Sequence, residues 1–149
     1  MIQLTTATHE TAAALLARVF LGMLFFLQGY DKVFRVGVKN VIETIHTPLE
    51  SKGIPNLVSK TGAYFTSYVE LICGGLLIIG FIKYYSLYLL GIDVLFAAFA
   101  FGIVEPMWDM RHIFPRLLLI IILLLLPSQW DRISVDYLWS LIKFIKSIS

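Results

Sequence analysis

The sequence predicts an all-α integral membrane protein: four antiparallel spans in one bundle, with amphipathic segments at the interface. Three observations carry that prediction. Hydrophobic residues make up 58% of the 149 and charged residues only 15%, against about 45–50% and about 25% in a soluble domain. The mean hydropathy is +0.82. The apolar residues also stand in long runs, without the polar alternation that marks helices and strands bathed in water. A chain of one domain's length cannot hide so much apolar surface from water, and lipid is its natural solvent.

The first span is expected over residues 11–30, where LLARVFLGMLFFLQGY is interrupted by Arg18, Gly22, Gln28 and Gly29. About twenty helical residues cross a hydrocarbon core of about 30 Å, and Arg18 argues against lipid on every side of this one. No basic leader or small-residue cleavage signal precedes the run, so it is expected to stay as an anchor. Residues 33–47 mix branched apolar residues with Arg35, Lys39, Glu43 and His46, the pattern of an interfacial helix, before a break around Pro48, Gly53 and Pro55. The second and third spans, 61–82 and 84–104, are separated only by a turn at Lys83. The fourth is expected over 112–130, with Pro115 tolerated in its first turn. Residues 134–148 are too charged to span and suit a second interfacial helix.

Four crossings put both termini and the Lys83 turn on one side, and the 32–60 and 105–111 connections on the other. More basic residues lie with those connections, which the positive-inside tendency assigns to the cytoplasm. The net charge of +2 has no dense basic cluster, so no nucleic-acid partner is expected. Cys73 is the single cysteine, which excludes an internal disulfide or a dithiol shuttle. The three histidines have no zinc spacing, and no metal or covalently bound cofactor is expected. Gly22, Gly74, Gly75 and Ala97 lie inside apolar runs and read as helix-packing surfaces, not phosphate loops.

Ionisable residues inside spans are costly and tend to face a bundle interior or a polar cavity. By helix rise, Arg18, Glu70 and Asp93 come to similar depths, which predicts one buried polar cluster with Arg18 against Glu70, Asp93 or both. Either it holds and receives protons, or it fixes helix register through a carboxylate–guanidinium pair. A second set, Glu105, Asp109, His112 and Arg116, follows helical spacing, with Glu105 and Arg116 as a candidate pair. His112 reads as a proton relay or haem ligand on one view and as a hydrogen-bonded boundary residue on the other.

The order of short motifs resembles the DoxX family of small bacterial membrane proteins. These are Arg18 with Gly22, Gln28-Gly29 and Lys32; Gly53-Ile54-Pro55; Glu70 with Gly74-Gly75 and Gly80; Ala97-Ala98 with Ala100; and the element from Asp131 to Asp136. The resemblance covers nearly the whole chain as one domain, 1–149, and implies a four-helix protein of the bacterial inner membrane. It further implies a link to redox metabolism, since some relatives serve quinone-coupled thiosulfate oxidation and others accompany thiol-redox proteins. Two functions follow as expectations. One is a membrane subunit whose Arg18, Glu70 and Asp93 contribute a quinone pocket to a redox complex. The other is a non-catalytic scaffold that recruits a partner or a second copy of itself. No self-contained catalytic centre is recognisable on either reading.

Overall fold

A computed structural model of the protein describes residues 2–104 and 110–148; for residues 2–7, 110–112 and 148 the backbone alone is described. Six α-helices follow in order: α1 Ile2–Tyr30, α2 Val38–Glu50, α3 Asn56–Ile79, α4 Lys83–Val104, α5 Met110–Leu125 and α6 Val135–Ile148. Among the described residues there is no strand. Four of the helices close a ring, with α1 on α3, α3 on α4, α4 on α5 and α5 back on α1. Helix α2 lies along α3 and touches α4.

The bundle buries Arg18, Glu70, Lys83 and Asp93 together with an apolar core, and turns a second set of large apolar residues outward. On α1, Ala14, Arg18, Leu21, Phe25 and Gly29 are buried, while Leu16, Phe20, Met23 and Leu27 are exposed. Both sets recur at three- and four-residue intervals, so each forms a stripe on its own face of the helix. On α3, Ala63, Ser67, Glu70, Cys73 and Leu77 face inward and Tyr64, Tyr68 and Ile72 outward; on α4, Leu87, Leu90 and Asp93 face inward and Tyr85, Tyr88, Ile92 and Phe96 outward. Such a continuous apolar exterior requires lipid. Tyr30 lies at the end of α1 and Tyr84, Tyr85 and Tyr88 in the first turns of α4, where an amphipathic ring suits the headgroup level.

Among the described residues, three helices are long and apolar enough to cross a membrane: Thr8–Val36, formed by α1 and its continuation, then α3 and α4. The last two rise about 36 Å and about 33 Å. Helix α5, with 16 residues, rises only about 24 Å. The expected fourth span, 112–130, thus differs from what is observed. Helix α5 stops at Leu125 because Pro127 cannot continue it, and Ser128–Trp130 form a single 3₁₀ turn. Pro115 consequently sits in the second turn of α5 and not its first. The first span also continues without a break, as a π-helical segment Asp31–Val36 that ends at Gly37, whose φ of 81° stops the winding. Pro48 lies within α2, and the expected break comes after Glu50.

Glycine sets the closeness of α1 and α3. A Cβ on Gly74 would lie 2.5 Å from Phe26 N, and one on Gly22 would lie 2.9 Å from Ile78 N. A Cβ on Gly29 would run into the backbone of Leu71. These are backbone-to-backbone approaches that only glycine permits. Gly75 meets nothing nearer than the Phe26 ring at 3.5 Å, an ordinary contact, and Ala97 is half-buried on α4. The contacts also fix the register: Gly22 is level with Gly74 and Ile78, and Gly29 with Glu70 and Leu71.

Candidate functional site

That register separates Arg18 from Glu70. Arg18 lies one turn before Gly22, so it faces the last turn of α3, about two turns beyond Glu70. The expected cluster of Arg18, Glu70 and Asp93 is therefore not formed. Counting depth from assumed helix ends misplaced Arg18, because α1 runs well past the end of α3 and the glycine contacts set its level. Two separate polar centres take the place of the one expected.

The first closes the bundle at the α3–α4 turn. Arg18 is 1% exposed, and its Nε lies 3.1–3.2 Å from the two carboxylate oxygens of Asp131. Nη1 donates to the carbonyls of Leu77, at 2.8 Å, and Ile78, while Nη2 donates to that of Ile133 at 2.7 Å. The last carbonyls of a helix have no partner within it, and the guanidinium meets them at the negative end of the α3 dipole. Lys83 Nζ reaches the same Asp131 at 3.0 Å and lies over the Tyr84 ring. Asp136 then accepts from the backbone amides of Ile82 and Lys83, both at 2.8 Å, and so caps the start of α4. Ser134 caps α6 by accepting from Tyr137 N and donating to Asp131 O. Gly80 ends α3 at φ 76°, and a Cβ there would lie 2.7 Å from Ser134 Cβ. Residues 131–136 are thus a clasp that ties α1, α3, α4 and α6 together.

The second centre lies at mid-bundle. Lys32, in the π-helical segment after α1, places Nζ 2.7 Å from Glu70 Oε2 and donates to Thr66 Oγ1 at 3.1 Å. Thr66, one turn before Glu70, donates to Glu70 Oε1 at 3.3 Å. Asp93, on α4, interacts with Glu70, Thr66 and Lys32. It is 2% exposed, and its Oδ1 has no hydrogen-bond partner. Arg116, from α5, interacts with Glu70 and sets its guanidinium 5.7 Å from the centre of the Phe25 ring. Two cations therefore face two carboxylates among apolar side chains, supplied by all four helices of the ring.

Of the second predicted set, only Arg116 can be placed: Glu105, Asp109 and the side chain of His112 lie outside the described residues. Sequence reasoning did not select Lys32, Thr66, Lys83 or Asp131 as site residues. Lys32 and Asp131 stand at the edges of apolar runs, where a charge normally reads as solvated. A signal existed in Lys32, which lies one turn after Gln28 on the inward side of α1. Cys73 is buried between the two centres. Among the described residues no group of three or more potential ligands is placed to hold a metal ion.

Buried ion pairs within a bundle whose exterior is apolar define a multi-pass helical membrane protein. The DoxX family model matches residues 13–103, more than half of the chain, and the protein belongs to that family. The match contains Arg18, Lys32, Glu70 and Asp93 and ends before Arg116 and the clasp. No curated protein and no solved structure matches significantly.

Proposed function

We propose that the protein is a subunit of the bacterial inner membrane that crosses it four times and contributes a quinone-headgroup pocket to a redox complex. Membership of a family often linked to redox functions supports the redox part. The observation that carries the pocket is Asp93 Oδ1, a buried acceptor without a donor beside the Lys32–Glu70 pair. A buried acceptor left unpaired is costly, and a hydroxyl-bearing headgroup would supply the missing hydrogen bond. Lys32 and Arg116 would offer donors to a headgroup oxygen. The residues present therefore fit such a headgroup, with an apolar exterior over which an isoprenoid tail can run. When bound, quinone carries electrons and protons between the lipid phase and a redox partner.

Within this reading Lys32 and Arg116 orient the headgroup, Asp93 Oδ1 accepts from the headgroup hydroxyl, and the surrounding leucines exclude water. The chain supplies no electron donor of its own, so turnover belongs to a complex. Titration of quinol into the protein in lipid nanodiscs tests the proposal. Saturable binding that Asp93→Asn and Glu70→Gln weaken supports it. No saturable binding would overturn it and leave the scaffold reading, in which both charged centres only lock helix register.

A further inference from the structure

The clasp encloses a cavity of about 330 Å³ between the start of α4, the 3₁₀ turn and the first two turns of α6. Ligand sites run from about 300 to about 1,000 Å³, so this one has room for a headgroup and not for a whole lipid. Lys83, Ser128, Gln129, Asp136, Tyr137 and Ser140 are among the residues that line it. Several of these groups have hydrogen-bonding capacity to spare. Lys83 Nζ carries three donors and gives one to Asp131 at 3.0 Å. Each oxygen of Asp136 accepts one backbone amide, from Ile82 or Lys83, and keeps a second lone-pair site. The Ser140 hydroxyl donates to Tyr137 O at 2.7 Å and still accepts. Ser128 and Gln129 add exposed polar side chains.

The lining carries one cation and one anion. A simple anion would meet the Asp136 carboxylate and a simple cation the Lys83 ammonium, whereas a zwitterion meets each charge with its opposite. The place of the cavity says which zwitterion. By helical spacing, Asp136, Tyr137 and Ser140 stand along one edge of the stripe formed by Leu138, Leu141, Phe144 and Ile145, all four exposed. With α6 lying in the interface, that edge falls where acyl chains meet headgroups. Phe81 and Ile82, next to Lys83, are also exposed and offer chains an apolar surface to follow. We propose that the cavity holds the headgroup of a zwitterionic phospholipid with a primary ammonium, such as phosphatidylethanolamine, its phosphate on Lys83 and its ammonium on Asp136. The ammonium supplies donors to the spare lone pairs of Asp136, and the Ser128 hydroxyl and Gln129 amide offer donors to the phosphate. A lipid so held braces α6 against the α3–α4 turn. The site lies apart from the mid-bundle centre and stands whether or not quinone binds there.

Native mass spectrometry of the delipidated full chain tests this, with titration by phosphatidylethanolamine, phosphatidylcholine or phosphatidylglycerol of matched acyl chains. One equivalent of phosphatidylethanolamine should be held about tenfold more tightly than either of the others, because the choline ammonium has no N–H to donate and the glycerol headgroup has no cation. Asp136→Asn should reduce that preference. Ser140→Phe fills the cavity while leaving the bonds of Arg18, Lys83, Asp131 and Asp136 in place, and should abolish it; this variant decides the matter if Asp136→Asn fails to fold. Equal affinity for the three lipids, or a preference that survives Ser140→Phe, would overturn the proposal. So would glycerophosphoethanolamine, the same headgroup without chains, binding as tightly as the lipid, since the site would then belong to a soluble zwitterion.

Discussion

Replacing Asp131 with asparagine tests the clasp most sharply, because one carboxylate there holds two buried cations. The substitution keeps the shape and removes the charge facing Arg18 and Lys83. Truncating one partner of a buried ion pair costs about 3–5 kcal/mol in soluble proteins. Polar couplings within membrane bundles are smaller, about 0.6 kcal/mol on average and up to about 1.7. Arg18 keeps its bonds to the carbonyls of Leu77, Ile78 and Ile133, whereas Lys83 loses its ion partner. A loss of about 2 kcal/mol is therefore expected, which corresponds to a fall of about 4–8 °C in Tm for a chain of this size. Thermal unfolding in lipid nanodiscs measures it, and a double-mutant cycle with Arg18→Gln isolates the pair. Wild-type stability for Asp131→Asn would refute the clasp. So would a cycle that couples Arg18 to Glu70 and not to Asp131.

Further outcomes follow from the same contacts. Gly29→Ala forces a methyl into the Leu71 backbone and should lower Tm more than Gly75→Ala, whose methyl has room; equal melts would contradict the α1–α3 packing. Lys32→Met should destabilise by leaving Glu70 unpaired, and Glu70→Gln added to it should recover part of the loss; a double variant worse than both singles would argue against the pair. Helix α6 exposes Leu138, Trp139, Ile142 and Ile145 beside Lys143 and Lys146, so Trp139 fluorescence should be quenched by shallow brominated lipid and not by deep. Quenching by neither would take α6 off the membrane. Cysteines at positions 50 and 132 should label from opposite sides with an impermeant reagent, and labelling from the same side would refute the topology.

The fold class was legible because lipid imposes a simple demand: long apolar runs must be helices, and polar residues inside them must face one another. For that reason the sequence places Glu70 and Asp93 toward the bundle interior, and both are buried there. Arg18 was given the wrong partner because helix rise fixes depth only relative to an end, and α1 extends beyond the bundle. What sets its level is the glycine contact with α3, a pairwise fact that neither helix states alone. Asp131 was hidden in another way, since it follows a proline break and a turn, where a charge ordinarily meets water. Its burial arises only when the turn folds back over the ends of α3 and α4. Lys32 follows the apolar run, where a charge ordinarily belongs to a connection, and only its spacing of one turn from Gln28 hints that α1 winds on and turns this side chain inward.

Photolabelling with an azidoquinone reads out the mid-bundle headgroup site. Membranes containing the protein are irradiated with the reagent and the labelled peptides mapped, with excess unmodified quinone as competitor. Competed labelling is expected within residues 25–36, 63–73 and 90–97, diminished by Asp93→Asn and unchanged in extent by Arg18→Gln once folded protein is matched. Competed labelling confined to residues 128–140, or labelling that excess quinone does not displace, would contradict it.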